Sequence, residues 1–546
     1  MNALQLAGIV VDIPGRRTFP AVVSVAGGKI AGITATDQPV PQRYILPGFI
    51  DAHVHVESSM LIPSEFARMA VVHGTVGSVS DPHEIANVCG EKGVEFMLEN
   101  GRQVPFRFCF GAPSCVPATV FETAGDAIGP EGVARLLQRP DIYYLSEMMN
   151  FPGVLQGDPE VMAKIAAARQ YGKPVDGHAP GLRGEIAAQY ASAGISTDHE
   201  CFTLDEALDK LAAGMHILIR EGSAARNFEA LEPLIATHHQ RVMFCSDDKH
   251  PDNLEEGHIN LLVKRALAKG HDLFNILQAA CVNPVRHYGI PAGLLRVGDP
   301  ADFIITDNLS DFNILETWIG GVQVAAEGKT LIAPVPVEPI NRFHCTAKSE
   351  GDFRVPAPAD ISTVQVIEAL DGQLITHPLT FQLKATNGYL NSDISQDVLK
   401  MTVVNRYQNA PPAMAFIRNF GLRSGAIAST VAHDSHNIIA VGADDESIRR
   451  AVNALIGAEG GICVIDGDNE YILPLPVAGL MSAGDGYDTA RRYSQLDKAA
   501  KALGSRLDAP FMTLSFMALL VIPHLKLSDR GLFDGDRFAF TELAQA

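Results

Sequence analysis

From Leu46 to Asp247 the chain repeats one motif: a short apolar run closes in a cluster of polar residues, and a stretch of helical periodicity follows. The runs end near His55, Ser80, Gly111, Glu147, His178, His199, Glu221 and Asp247. Short apolar runs bounded by polar residues predict buried strands, and apolar positions three and four apart predict amphipathic helices. In LDEALDKLAAG, for example, Leu204, Ala207, Leu208 and Leu211 fall on one helical face, with Gly214 as the stop. Strands alternating with helices imply a parallel sheet, and eight such units across about 200–250 residues imply a (β/α)8 TIM-type barrel rather than an open sheet.

The flanks read differently. Residues 1–45 alternate as short strands with a turn at Gly27-Gly28, and GLLRVGDPADFIITD and WIGGVQVAAEG alternate again after the barrel. The expected organisation is an α/β chain with a small β-sandwich domain built from 1–45 and 294–344, a barrel at 46–293, and an additional α/β domain at 345–546. Several units suit a chain of 546 residues, since a single core stops growing near about 250–300. The last residues, Thr541 to Ala546, are expected to fray.

Charge and cysteine usage narrow the partners. With 43 Lys and Arg against 63 Asp and Glu, the net charge is −20, which repels phosphate backbones and anionic membranes. Neither nucleic acid nor a membrane surface is an expected partner, and no uninterrupted apolar window is long enough for a span. The opening MNALQLAGIVVDIPG lacks the basic start of a signal peptide. Eight scattered cysteines without a CxxC pair read as reduced thiols in a cytoplasmic protein.

Residues i and i+2 of a strand face the same side, so His53 and His55 share a face. An HxH pair alone is as often core or rim packing as a metal site. Here Glu147, His178, His199 and Asp247 also fall at strand ends, on the rim where barrel enzymes place their chemistry. Four imidazoles and two carboxylates exceed what one divalent ion takes from protein and suit two ions bridged by a carboxylate and a water. Glu147 is the natural bridge, having two oxygens to offer. Asp247 is placed to accept a proton from the attacking water and return it to a leaving group. Without cysteine, the donors fit Mn(II) or Fe(II), with Zn(II) also compatible.

LPGFIDAHVHVESSM and the later donors resemble the amidohydrolase superfamily, and SDPHEIANVCG, SEMMNFPGV, DGHAPGL, STDHE and CSDDKHPDN resemble its bacterial adenine deaminase family. The likeness continues through FGLRSGAIASTVAHDSHNIIAVG, LPLPVAGLMS and PFMTLSFMALLVIPHLKLSDRGLFD, covering nearly everything from residue 20 onward. The resemblance implies hydrolysis of adenine at C6 to hypoxanthine and ammonia, in purine salvage. It also implies that His53, His55 and Asp247 hold one ion and His178 and His199 the other, with Glu147 bridging. Many superfamily members bridge instead with a carbamylated lysine after the fourth strand. IYYLSEMMN has no lysine, and Lys173, before the fifth strand, reads as a surface residue. By analogy with related barrel hydrolases, a homo-oligomer such as a dimer is expected.

Other residues admit two readings. In DPHE, His83 and Glu84 either contact substrate or an auxiliary ion, or simply start a helix that Asp81 caps and Pro82 opens. Glu200 is either an orienting neighbour of His199 or solvated. Asp248 competes with Asp247, since period 2 lets only one face the ions. In AHDSHN, His433 and His436 either close over the barrel mouth or sit in a polar turn between strands. Two alternative functions share the barrel: a cyclic-amide hydrolase of the hydantoinase or dihydroorotase kind, which normally keeps the bridging lysine, and a noncatalytic scaffold, which need hold no ions.

Overall fold

The computed structural model describes residues 4–545. Each of the eight apolar runs forms a strand: β1 (Phe49–Val54), β2 (Thr75–Ser80), β3 (Arg107–Ala112), β4 (Ile142–Met148), β5 (Val175–Gly177), β6 (Thr197–Asp198), β7 (His216–Arg220) and β8 (Val242–Cys245). Strands β1 to β5 pair in sequence and in parallel, as do β6 to β8. Parallel bridges Val175–Ile195 and Val54–Asp247 join the two sets into a closed barrel. At the closing seam Asp247 N donates to His53 O at 2.9 Å and His55 N to Asp247 O at 3.3 Å. The backbone that shuts the barrel is therefore that of three candidate ligands.

The strands are uninterrupted apolar runs because side chains on one face fill the barrel and those on the other meet the helices. Packing between strands leaves little room: a Cβ on Gly111 of β3 would lie 2.2 Å from Ser146 Oγ of β4. Helix Leu204–Ala212 follows β6, capped by Thr203 Oγ1, which accepts from Glu206 N at 3.3 Å. Ala207 and Leu211 are buried, but Leu208 is 36% exposed and lies outside the buried stripe expected to include it. The third and seventh units are irregular: residues 113–129 precede helix Pro130–Leu137, and only two four-residue helices follow β7.

Both flanks join one β unit. Its eight strands follow a single hydrogen-bonded path, with Phe303–Thr306 antiparallel to Tyr44–Pro47, which ties the exit of the barrel beside its entry. The expected hairpin turn is present at Gly27 and Gly28, with φ of 57° and 77°, values that favour glycine. Residues 1–3 lie outside the described part of this unit.

The C-terminal part is built on a nine-stranded, mostly antiparallel sheet. Helix Asp445–Gly457 packs Ile448, Ala451, Val452 and Leu455 into its core. The end of the chain does not fray as expected: Ala544 pairs with Val364 of strand Ile361–Ala369, while Ala546 lies outside the described residues. This domain docks on the carboxyl-end face of the barrel. Ser482 N donates to Met60 O at 2.8 Å, Gly486 N to Glu65 Oε2 at 2.9 Å, and Asn437 Nδ2 to Thr123 O at 2.9 Å. All eight cysteines are free thiols, and among the described residues no helix is long and apolar enough to cross a membrane.

Candidate metal centre

Glu147, one residue before the end of β4, stands amid four imidazoles and a second carboxylate. Its Oε1 lies 3.2 Å from His55 Nε2, and its Oε2 lies 2.7 Å from His178 Nδ1 and 3.1 Å from His199 Nε2. Asp247 Oδ1 lies 3.3 Å from His55 Nε2 and 3.8 Å from His53 Nε2, and its Oδ2 lies 4.0 Å from His199 Nε2. The His53 and His199 rings stack with centroids 4.1 Å apart. All six side chains are buried, so the barrel brings the whole predicted set together.

Whether these residues fit a cation can be judged from their protons. His55 Nδ1 lies 3.2 Å from the carbonyl oxygen of Asp81, which can only accept, so the ring proton belongs on Nδ1 and Nε2 carries a lone pair. That lone pair faces oxygens of both Glu147 and Asp247. Buried acceptors facing one another need a proton or a cation between them. Both ring nitrogens of His53 and Nε2 of His178 are buried without a hydrogen-bond partner. Several three- and four-residue subsets lie close enough to share an ion, including His53, His55 and Asp247. A set of imidazoles and carboxylates without thiolate fits first-row divalent cations.

His53, Glu147 and Asp247 are held in ligand forms, whereas for His55, His178 and His199 burial is outweighed by the neighbouring carboxylates, which push these imidazoles up toward the protonated form that a bound cation would replace. Burial, reinforced by His199 and His55, pushes the His53 imidazole well below its ordinary range and keeps it neutral. Burial works against ionised Glu147, but His178, through its charge and its hydrogen bond, and the facing His199 and His55 hold it well below the usual carboxylate range. For Asp247 the same opposition is won chiefly by Arg220.

Arg220 is the principal residue that reading the sequence missed. It ends β7, is buried, donates to Asp247 Oδ2 at 2.5 Å, and pairs with both oxygens of Glu200. Glu200 is thus an ion-pair partner and not a solvated group. Asp51 was also passed over. Its Oδ1 accepts from Ser246 N at 3.0 Å and His53 N at 3.3 Å, and its Oδ2 lies 2.8 Å from His258 Nε2, which fixes the backbone on both sides of the seam. Tyr190 receives the His178 N–H at 3.1 Å and donates to Met148 O at 2.8 Å.

Two expectations need correction. Asp247 and Asp248 both line the cavity, because β8 stops at Cys245 and Asp247 has a left-handed backbone, φ 53°, so strand alternation no longer governs either side chain. Asp248 Oδ1 accepts from Ser58 Oγ at 2.6 Å. Lys173 is not a surface residue: it is half-buried and donates to the carbonyls of Leu137 at 2.6 Å and Arg139 at 2.7 Å, and also to that of Ile142.

In both ambiguous segments the local reading holds, and their side chains also reach the cavity. Helix His83–Cys89 begins one residue after Pro82, and Asp81 Oδ1 accepts from His83 N at 3.1 Å. The His83 ring nevertheless spans from Glu147 Oε1, 3.5 Å from its Nδ1, to Asp434 Oδ1, 3.6 Å from its Nε2. AHDSHN does connect two strands, Ala426–Ser429 and Ile438–Gly442, while His433 and Asp434 line the same cavity as Glu147. Leu374 and Leu519 of the C-terminal domain complete that lining.

The family model for the amidohydrolase family matches residues 44–324, and that for the adenine deaminase C-terminal domain matches 373–539. The adenine deaminase of Salinibacter ruber is 58% identical over 99% of both chains, that of a Sulfurovum species 56% over 99% of both, and that of Methanosarcina barkeri 53% over 98% of both. Among solved structures, N-acetyl-D-glucosamine-6-phosphate deacetylase from Mycobacterium smegmatis is 16% identical, with a TM-score of 0.45 over 59% of this chain and 100% of its own. With both domains matched and more than half of its residues shared with full-length relatives, the chain belongs to the adenine deaminase family of amidohydrolases.

Proposed function

We propose that the protein hydrolyses adenine at C6: the oxygen of water bonds to C6, the C6–N6 bond breaks, and hypoxanthine and ammonia leave. The observation that carries this reading is one cavity lined from two sides. Glu147, His178, His199 and Asp247 of the barrel face His433, Asp434, Leu374 and Leu519 of the domain that distinguishes this family. A planar, neutral purine suits walls that mix apolar side chains with a few polar groups.

His53, His55 and Asp247 would hold one divalent ion and His178 and His199 a second, with Glu147 shared between them; Mn(II) or Fe(II) is our choice, with Zn(II) compatible. Bound there, the ions supply Lewis-acid activation of the attacking water at neutral pH. Asp247 Oδ1 faces His53 and His55, while Oδ2, which accepts from Arg220 on one lone pair, keeps the other to take the proton from the water and return it to departing N6. Arg220 keeps that carboxylate ionised and aimed. Free space for water centres among the lining residues is about 30 Å³, room for about two waters. Purine salvage in the cytoplasm, by a homo-oligomer, completes the proposal. The test is to load the protein with Mn(II) and follow the ultraviolet spectrum of adenine. Conversion to hypoxanthine is expected; two ions per chain without conversion would refute the substrate while leaving the centre.

A further inference from the structure

The carboxylate of Glu84 sits between two imidazoles of the C-terminal domain. His433 Nδ1 lies 2.6 Å from Glu84 Oε1, and His436 Nε2 touches Glu84 Oε2. All three residues are buried. As a set of one carboxylate and two imidazoles they could be read as a third cation site.

The backbone argues otherwise. Ala432 N donates to His436 Nδ1 at 3.2 Å, so that nitrogen uses its lone pair there and the ring proton belongs on Nε2, facing Glu84. A cation would need the lone pair that this proton occupies. The same logic runs one step further. Ionised Glu84 accepts from His433 Nδ1, and the His433 ring stacks on Phe516 with centroids 5.2 Å apart. Orientation is then fixed, with a proton on Nδ1, and His433 Nε2 remains: buried, without a partner, on a residue that lines the cavity. Burial opposes charge on this ring, but Glu84 and Asp248 outweigh it and hold His433 up at about 9, which makes Nε2 a donor at neutral pH.

We infer that His433 hydrogen-bonds a ring nitrogen of the bound purine through Nε2, and that Glu84 and His436 are the residues that position it. The inference rests on the proposed activity and names the group that reads the substrate. Because the reacting C6–N1 edge must face the barrel donors, the nitrogen met from the cap side is N3 or N7. His433 is then a contact supplied by the C-terminal domain, which the barrel cannot provide by itself.

The experiment uses the full-length, Mn(II)-loaded protein, with adenine kinetics, inhibition constants for 3-deazaadenine and 7-deazaadenine, and metal content measured side by side. Wild type should bind one deaza analogue about 10- to 100-fold more weakly than adenine, the worth of a hydrogen bond to a charged group. His433→Phe should lose a similar factor in kcat/KM for adenine, bind that analogue and adenine alike, and keep the metal content of wild type. Glu84→Gln and His436→Gln should show the same loss of discrimination in smaller measure. Should His433→Phe fail to fold, His433→Asn, too short to reach Glu84 and the purine together, asks the same question. Unchanged discrimination in an active His433 variant overturns the assignment, as does a third ion in wild type that His436→Gln removes. A metal-loaded wild type that turns over no adenine refutes the proposed activity and this contact with it.

Discussion

Arg220 Nη1 lies 2.5 Å from Asp247 Oδ2, and the same guanidinium pairs with Glu200, so one buried cation holds two carboxylates beside the candidate metal ligands. Removing it strands two buried negative charges. Breaking such a pair costs about 3–5 kcal/mol. Arg220→Met should therefore melt well below wild type and lose at least about 100-fold in turnover of adenine, since the proposed proton acceptor, Asp247, loses its orientation. A variant that melts lower yet turns over normally would show that Asp247 needs no such support.

Glu147→Gln keeps the size of the side chain and removes a charge that His55, His178 and His199 and any shared cations depend on. Turnover should fall by several orders of magnitude, with bound metal dropping below two ions per chain. Elemental analysis beside initial rates checks this. Full occupancy with normal turnover would remove Glu147 from the bridging position.

Asp247→Asn and Asp248→Asn should separate two neighbours that line one cavity. The first removes both a donor to the ions and the proposed proton acceptor, so kcat should collapse. The second weakens a contact with Ser58 and the charge near His433, so the loss should be smaller and weigh more on KM. The reverse order in kcat would move the proton transfer to Asp248.

The repeated apolar run with a polar end was sufficient to locate eight strands and the face on which six donors meet, because parallel strands all point their carboxyl ends one way. What escaped is what register alone decides. The seventh run was read as ending at Glu221, whose side chain turns outward to Arg265, while Leu218 and Arg220 alternate on the barrel side of β7 and Ile217 and Ile219 on the helix side. Counting by two from Leu218 would have found Arg220. No such count leads to Asp51 and His258, 207 positions apart, or to Glu84 and His433, which only the docking of a second domain brings together.

Stripping the protein with a chelator should abolish adenine turnover, and added Mn(II) should restore it. The apoprotein should also melt lower, because each site occupied at a hundred times its Kd contributes about 2.7 kcal/mol to the folded state. Calorimetric scans with and without metal would read this. A melting temperature indifferent to metal, with activity intact, would favour a water activated by protein groups alone.

Lys526 carries a pH dependence whose sign can be worked out. Burial alone pushes its ammonium down to about 7, and Nζ donates to Leu374 O at 2.6 Å and Phe516 O at 2.9 Å, tying together two segments of the cap. Below pH 7 both the folded and unfolded chains hold the proton, and the full cost of burying the charge is present. Between about pH 7 and about 10.4 the unfolded chain keeps its proton while the folded one has released it, so stability from this group rises with pH, by up to about 1.4 kcal/mol per unit. Lys526→Met removes this gain at every pH, along with the two hydrogen bonds. Its urea midpoint, measured from pH 6 to 9.5, should therefore compare best with wild type at the acid end and fall progressively behind as pH rises. Parallel profiles for the two proteins would mean that Lys526 stays charged in place, held by the two carbonyls.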